Sequence, residues 1–136
     1  MLKFEMIRPT IEEYNYLRNS VDWSLKEKGI SNDRAKKSLI ASPFCVTVYD
    51  DFKVIGMCRI SGDKTMYGYL QDIIIIPEYQ RKGIGTKMLK ILLKDVSKLK
   101  GYLLGVCPSR KSAYFYKTVG FRKRKEKPNG FMYKEI

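Results

Sequence analysis

The segment best equipped for chemistry is Gln80-Arg81-Lys82-Gly83-Ile84-Gly85, and its flanks say which chemistry that is. Before it runs Tyr69-Leu70-Gln71-Asp72-Ile73-Ile74-Ile75-Ile76, an apolar stretch closed by Pro77 that reads as a strand. After it, Ile84, Met88, Ile91, Leu92, Val96 and Leu99 recur at helical spacing, with Lys87, Lys90, Lys94 and Lys98 facing out. That predicts an amphipathic helix from about Gly83 to Leu99. A strand, a basic turn with two glycines and a helix start make a backbone cradle for phosphate. Glycine lacks Cβ, so successive N–H groups can turn toward one anion. The helix start adds unpaired donors and the positive end of a dipole, and Arg81 and Lys82 add full charges. The turn reads as a pyrophosphate seat.

Two common phosphate motifs do not fit. A dinucleotide fingerprint needs a third glycine, where Met88 stands, and an acid about 20 residues on, in a strand that here (Tyr102 to Cys107) has none. A Walker A loop needs Gly-Lys-Ser/Thr after a longer gap. The turn instead resembles Gln/Arg-x-x-Gly-x-Gly/Ala, the acyl-CoA loop of the GNAT N-acetyltransferase superfamily. A second stretch, Ala113-Tyr114-Phe115-Tyr116-Lys117-Thr118-Val119-Gly120-Phe121, is similar to the superfamily's other hallmark, a helix carrying Phe/Leu-Tyr and ending in Gly-Phe. The resemblance runs from about Lys53 to Phe121, half the chain, with the two motifs in the family's order.

What the resemblance implies is specific. The backbone of Arg81, Lys82, Gly83, Ile84, Gly85 and Thr86 would hold the donor's pyrophosphate. Ile73, Ile74 and Ile75 match the strand that splays from its neighbour and offers free backbone groups to the pantetheine arm. The tyrosine before the Gly-Phe stop, which sits near the thioester sulfur and acts as general acid, maps to Tyr116, with Tyr114 as the fallback. The cosubstrate implied is acetyl-CoA, with no metal. Two departures stand out: Ser109 occupies the position of an Asn that often contacts CoA, and Leu103-Leu104-Gly105 lacks the Glu found in protein N-terminal acetylators.

The residues themselves suggest further roles. Asp72 lies within an apolar strand, where an unpaired carboxylate is expensive to bury, so it is either a catalytic base or a structural acid paired with an arginine such as Arg59. The chain has no histidine, which removes the usual neutral-pH proton shuttle and the commonest zinc ligand. Cys45, Cys58 and Cys107 are odd in number and widely spaced in apolar runs, which reads as buried, inert thiols. If the family fold holds, Asp22, Trp23 and the region from Asn15 to Ile30 border the acceptor; Trp23 either stacks on a substrate or caps the core.

The elements needed to position these groups are legible. Leu2 to Arg8 reads as a strand, and Thr10 and Glu13 stand in capping-box register for a helix to Arg18 or Ser20. Ser31 is an N-cap for a helix through Ile40. Phe44 to Tyr49 and Val54 to Ile60 form a hairpin about Asp50-Asp51-Phe52-Lys53. Tyr102 to Val106 reads as a strand, Arg110 to Val119 as a helix, and Phe131 to Lys134 as a closing strand after a Pro128-Asn129-Gly130 turn, with one further strand near Phe121. This order points to a single α/β domain over residues 1–136: a mixed, mostly antiparallel sheet of six to seven strands with helices on both faces.

Composition narrows the partners. The net charge is +13, from 27 Lys and Arg against 14 Asp and Glu. Arg122-Lys123-Arg124-Lys125 with Lys127 forms a basic run that would suit nucleic acid, but a polyanionic cosubstrate gives a positive face a simpler use. No stretch approaches the roughly 20 apolar residues of a membrane span, and the amino terminus reads as a strand, so a cytoplasmic protein is expected. The sequence reading is an acetyl-CoA-dependent N-acetyltransferase acting on the primary amine of a small metabolite. Its rivals are a protein lysine or N-terminal acetyltransferase and a noncatalytic acyl-CoA-binding module. A homodimer is compatible with the sequence and not specified by it.

Overall fold

The helix starts form as their capping residues dictate. Thr10 Oγ1 accepts from the Glu13 N–H at 3.1 Å, while the Glu13 carboxylate accepts from the Thr10 N–H at 2.8 Å, closing the capping box of α1 (Ile11–Ser20). Ser31 caps α2 (Asn32–Ile40) by accepting from Arg34 N–H at 3.2 Å. In this computed structural model residues 1–108, 112–124 and 127–136 are described, with backbone alone at 124 and 127–131. The strands are β1 (Leu2–Glu5), β2 (Phe44–Asp50), β3 (Lys53–Gly62), β4 (Tyr67–Ile75), β5 (Leu103–Val106), β6 (Arg122–Arg124) and β7 (Lys127–Glu135). A 3₁₀ turn, Pro77–Tyr79, leads from β4 toward α3 (Ile84–Val96), and α4 (Ala113–Thr118) follows β5.

The seven strands form one sheet in the order β1-β2-β3-β4-β5-β7-β6. Every pairing is antiparallel except β4 with β5. The mixed, mostly antiparallel sheet read from the sequence is the one observed. Neighbouring residues of a strand face opposite sides. Arg59 bonds Asp72 and Ser42 on the side of α1 and α2, whereas Cys58, one residue earlier, is an electrostatic neighbour of Tyr116 on α4. Helices therefore cover both faces.

The buried stripe of α3 (Ile84, Met88, Leu89, Leu92, Leu93 and Val96) packs on β2, β3 and β4, and its lysines Lys87, Lys90 and Lys94 are exposed. At the turn of the β3–β4 hairpin, Asp63 Oδ1 accepts from the N–H groups of Met66 at 2.6 Å, Thr65 at 2.8 Å and Tyr67 at 3.1 Å. Those donors stabilise the carboxylate and hold the Asp63 pKa down at about 2.

Several boundaries differ from the sequence reading. β1 stops at Glu5, and the backbone carbonyl of Ile7 instead accepts from Thr47 Oγ1 at 2.7 Å. The terminal hairpin closes earlier than Pro128-Asn129-Gly130: Arg124 pairs with Lys127, and the ladder resumes at Lys123 with Met132. Residues 128–131 are thus the irregularity inside β7, where a missing proline donor is tolerated. The expected helix over Arg110 to Val119 is observed as Ala113–Thr118, Arg110 and Lys111 lying outside the described residues. Lys125 of the basic run lies outside them too.

Gly68 of β4 tests the packing directly. A Cβ there would stand 2.3 Å from Tyr102 Oη and 2.6 Å from Ile60 Cγ2. Gly68→Ala should cost about 1–3 kcal/mol of stability through overpacking, read as a lower urea midpoint with unchanged slope.

Candidate functional site

Asp72 has φ 52, in the left-handed region that side chains seldom adopt. It does so because β4 carries one residue more than β3 at this point. Met57 pairs with Ile74 and Arg59 with Gln71, so Cys58 alone faces Asp72 and Ile73. This is a β-bulge, which bends its strand and sharpens its twist. On the other edge, β4 follows β5 only from Tyr67–Leu103 to Leu70–Val106. Beyond Leu70 the two strands part, leaving Gln71 to Ile75 without a sheet partner on that side. The splayed strand that the resemblance implies is present.

The turn after β4 is shaped as a cradle. Arg81 has φ 61 and Gly83 φ 79, so the chain coils twice about Lys82. Gly83 is the N-cap of α3 and carries no side chain to satisfy the helix's first N–H groups, which leaves them for an outside acceptor. Gln80 Nε2 donates to the Ile75 carbonyl at 2.8 Å, fixing the turn to the end of β4. Tyr79 donates its phenol hydrogen to the Asp50 carboxylate, and Lys82 Nζ lies 5.6 Å from the centre of its ring.

These elements enclose a cavity of about 420 Å³. It is lined by Ile73 and Ile75 of β4, Tyr79, Gln80, Arg81, Gly83, Ile84, Gly85 and Thr86 of the turn and α3, and Ser112 and Phe115 at α4. A Cβ on Gly85 would lie 3.9 Å from both Ile75 Cγ1 and Phe115 Cζ, so it would project between two cavity walls without a clash. Nothing in the fold itself forbids a side chain at Gly85, and the space it leaves open is the space a ligand needs. A second groove of about 380 Å³ shares Gly83 and Thr86 with the cradle and continues along Lys87, Lys90, Ile91 and Lys94. The arrangement can hold an extended polyanion: phosphate at the backbone turn, an apolar arm along Ile73 and Ile75, and cations along α3.

Most of the residues expected at the site gather there. Arg81, Gly83, Ile84, Gly85, Thr86, Ile73 and Ile75 line the cavity; Ile74 faces the core, almost fully buried, and Lys82 is exposed beside Tyr79. Ser109 lies outside the described residues. Tyr79, Ser112 and Phe115 are wall residues the sequence reading missed; no spacing rule singles out an aromatic after Pro77, although Phe115 sat within the second motif. Tyr114 is 78% exposed on the outer side of α4.

Tyr116 is 8% exposed, its ring edge-on to Phe121 at 5.8 Å and to Phe115 at 5.2 Å. Burial first, then the neighbouring Cys58 and Tyr69, pushes its phenol up to about 12. The helix stop that places it is a Schellman motif: Phe121 N–H bonds the Tyr116 carbonyl at 3.0 Å and Gly120 N–H that of Lys117 at 3.1 Å, with Gly120 at φ 99.

Of the two roles read for Asp72, the geometry supports the paired, structural acid over the catalytic base. Its carboxylate accepts from Arg59 Nε at 2.7 Å, Arg18 Nη1 at 3.0 Å and the Tyr14 hydroxyl at 2.5 Å, and its side chain is 8% exposed. Trp23 is 42% exposed and does not cap the core. Cys107 is a correction: β5 ends one residue before it, so it is exposed, while Cys45 and Cys58 are buried as expected. Among the described residues no group of His, Cys, Asp and Glu is arranged to hold a metal ion.

A family model described as an acetyltransferase (GNAT) domain matches residues 42–123. A Staphylococcus aureus crystal structure, of a protein taken to be an acetyltransferase, is 25% identical, with a TM-score of 0.78 over 92% of each chain. A Thermoplasma acidophilum PaiA N-acetyltransferase in complex with coenzyme A shares the fold at 17% identity, with a TM-score of 0.77 over 100% of this chain and 99% of that one. A Gibberella zeae protein taken to be an acetyltransferase is 30% identical over 79 residues, 58% of this chain and 42% of that protein, so the chain spans about two fifths of the length of this curated relative.

Thiol chemistry checks the burial pattern. Burial pushes the Cys45 thiol up to about 11 and Cys58 well above the usual thiol range, so both stay protonated and shielded near neutral pH. Titration with an aromatic disulfide should show one fast thiol, Cys107, in the native protein and all three after unfolding; Cys107→Ser should remove the fast phase.

Proposed function

Because the chain belongs to the GNAT acetyltransferase family, we propose that it is an acetyl-CoA-dependent N-acetyltransferase whose acceptor is the primary amine of a small molecule. The observation that carries this reading is the parted β4–β5 pair opening onto the glycine cradle. The Thermoplasma acidophilum protein of the same fold holds coenzyme A, which agrees with a polyanion seat beside an apolar arm channel. When bound, acetyl-CoA supplies an acetyl group activated as a thioester.

The chain's own residues then have three tasks. Donor holding falls to the turn from Arg81 to Thr86, where Gly83 and Gly85 let backbone N–H groups approach phosphate, and the lysine row of α3 extends the positive field. Orientation falls to the edge of β4 at Ile73 and Ile75, which has no β5 ladder beside it and can bond an amide-bearing arm as a strand would. Protonation of the departing thiolate falls to Tyr116. With its pKa near 12 this phenol keeps its proton below that pH, so it is a competent donor throughout the neutral and mildly alkaline range. Asp72 is engaged by two arginines, so the amine is left to lose its proton to water rather than to this carboxylate.

One observation favours a rival within the same fold. Tyr116 is buried and is not among the cavity-lining residues, as a noncatalytic acyl-CoA-binding module would have it. Substitution separates the two. Tyr116→Phe should lower kcat by about 10²-fold while leaving acetyl-CoA affinity unchanged; unchanged turnover would remove Tyr116 from the mechanism. The wild-type rate should show no alkaline loss from this group between about pH 7 and about pH 10, since it titrates higher.

The first measurement is acetyl-CoA binding by calorimetry. The wild type should bind, and a Gly83→Glu/Gly85→Glu variant with a native circular dichroism spectrum should not. Absence of wild-type binding would overturn the transferase reading. Screening free amines against peptides for CoA release then separates small-molecule from protein acceptors.

A further inference from the structure

A buried carboxylate that the reaction does not use still has a job to explain. Asp72 sits at the bulge of β4, one residue before the cavity wall residue Ile73. Its partners lead away from the donor cavity. Arg18, on α1, bonds Asp72 Oδ1 through Nη1 at 3.0 Å and turns its Nε to the backbone carbonyl of Trp23 at 2.8 Å. Arg59 bonds Asp72 Oδ2 at 2.7 Å and reaches the Ser38 carbonyl at 3.1 Å and Ser42 Oγ at 2.8 Å with Nη1. Tyr14 donates to Asp72 and accepts from Arg18 at 3.2 Å. One carboxylate thus ties the bulge to α1, to the end of α2 and to the loop that carries Trp23.

That loop is anchored at its flanks by Val21, packed against the core, and by the buried Leu25. Between them Asp22 is at φ 60 and Trp23 is 42% exposed, so the backbone at Trp23 is placed by its N–H bond to the Arg18 carbonyl and by the Arg18 fork. The donor cavity occupies the side of β4 facing α3 and α4. The family resemblance sets the acceptor on the α1–α2 side, where the Trp23 loop stands. We propose that Asp72 is a positioning residue: acting through Arg18, it holds the Trp23 loop in register with the bulged strand so that the acceptor wall and the donor wall keep one spacing.

The proposal rests on the transferase reading for its consequence, but the tether can be read without turnover. Trp23 is the chain's single tryptophan, so fluorescence excited at wavelengths that tyrosine does not absorb reports this loop alone. Acrylamide quenching and anisotropy are compared for the wild type, Asp72→Asn and Arg18→Lys, with and without acetyl-CoA. Arg18→Lys keeps a cation beside Asp72 but loses the fork that also holds the Trp23 carbonyl, so it loosens the loop without leaving a buried charge unpaired. In folded variants, Trp23 should be more readily quenched and less anisotropic than in the wild type. The quenching change that acetyl-CoA produces in the wild type should be lost while calorimetric affinity stays.

Wild-type quenching in both folded variants would overturn the proposal. So would an acetyl-CoA response of Trp23 that persists in them, since the tether would then carry nothing between the walls. Failure of the wild type to bind acetyl-CoA overturns the transferase reading instead. The ligand-free comparison would still decide the tether.

Discussion

A carboxylate taken out of water must be paired, and in this protein the pairing of Asp72 organises everything around it. Removing one partner from a buried ion pair costs about 3–5 kcal/mol, because the remaining charge is stranded. Asp72 meets that requirement with two arginines and a phenol drawn from two elements, α1 and β3. The carboxylate does so from a left-handed backbone position, and that position is the bulge. Charge pairing on one side of β4 and the altered strand geometry on the other are one constraint. Through Arg18 it also reaches the backbone of the Trp23 loop, and the next residue along β4, Ile73, lines the cavity.

The site is a place where sheet cohesion is given up. A parallel pair that ran the full length of β4 and β5 would satisfy more backbone groups, yet the ladder stops at Leu70–Val106. The unpaired groups beyond it are tolerable because the opening reaches solvent and can take a ligand. The cradle follows the same economy. Gly83 adopts φ 79 where a side chain would be strained, and Gly85 leaves room between Ile75 and Phe115 that no other described residue fills. Cys107, just past the end of β5, is exposed for the related reason that the strand it would have extended has no partner there.

α4 shows how a short element can be held firmly. A helix of six residues has almost no stability of its own. It is fixed instead by the Schellman stop at Gly120 and by the contact of Phe121 with Tyr116 across that stop. The residues that made the second motif recognisable are therefore the ones that hold the phenol in place. The burial that fixes Tyr116 also raises its pKa, so position and protonation state have a common cause.

Local rules settled much of this in advance. The Thr10–Glu13 box, the Ser31 cap, the stripe of α3 and the Gly120 stop depend on residues within a few positions of each other, and all were legible. The glycine cradle was legible too, because backbone freedom at Gly83 is a property of the residue itself. Long-range pairing was not. Neither the one-residue excess of β4 over β3, the exposure of Cys107, nor the return of Arg124 onto Lys127 ahead of the Pro128-Asn129-Gly130 stretch follows from local pattern. For Asp72 the sequence could offer only a choice between base and structural acid. Arg18 stands 54 positions away from it, and which cation meets a buried carboxylate is decided when helices close on a sheet. The sequence by itself determined most of the elements, the glycine turn that opens α3 and the family. The tertiary structure alone decided that the strand would bulge and that Asp72 would pair with Arg18 and Arg59, because charge pairing acts through space between residues that no sequence spacing brings together.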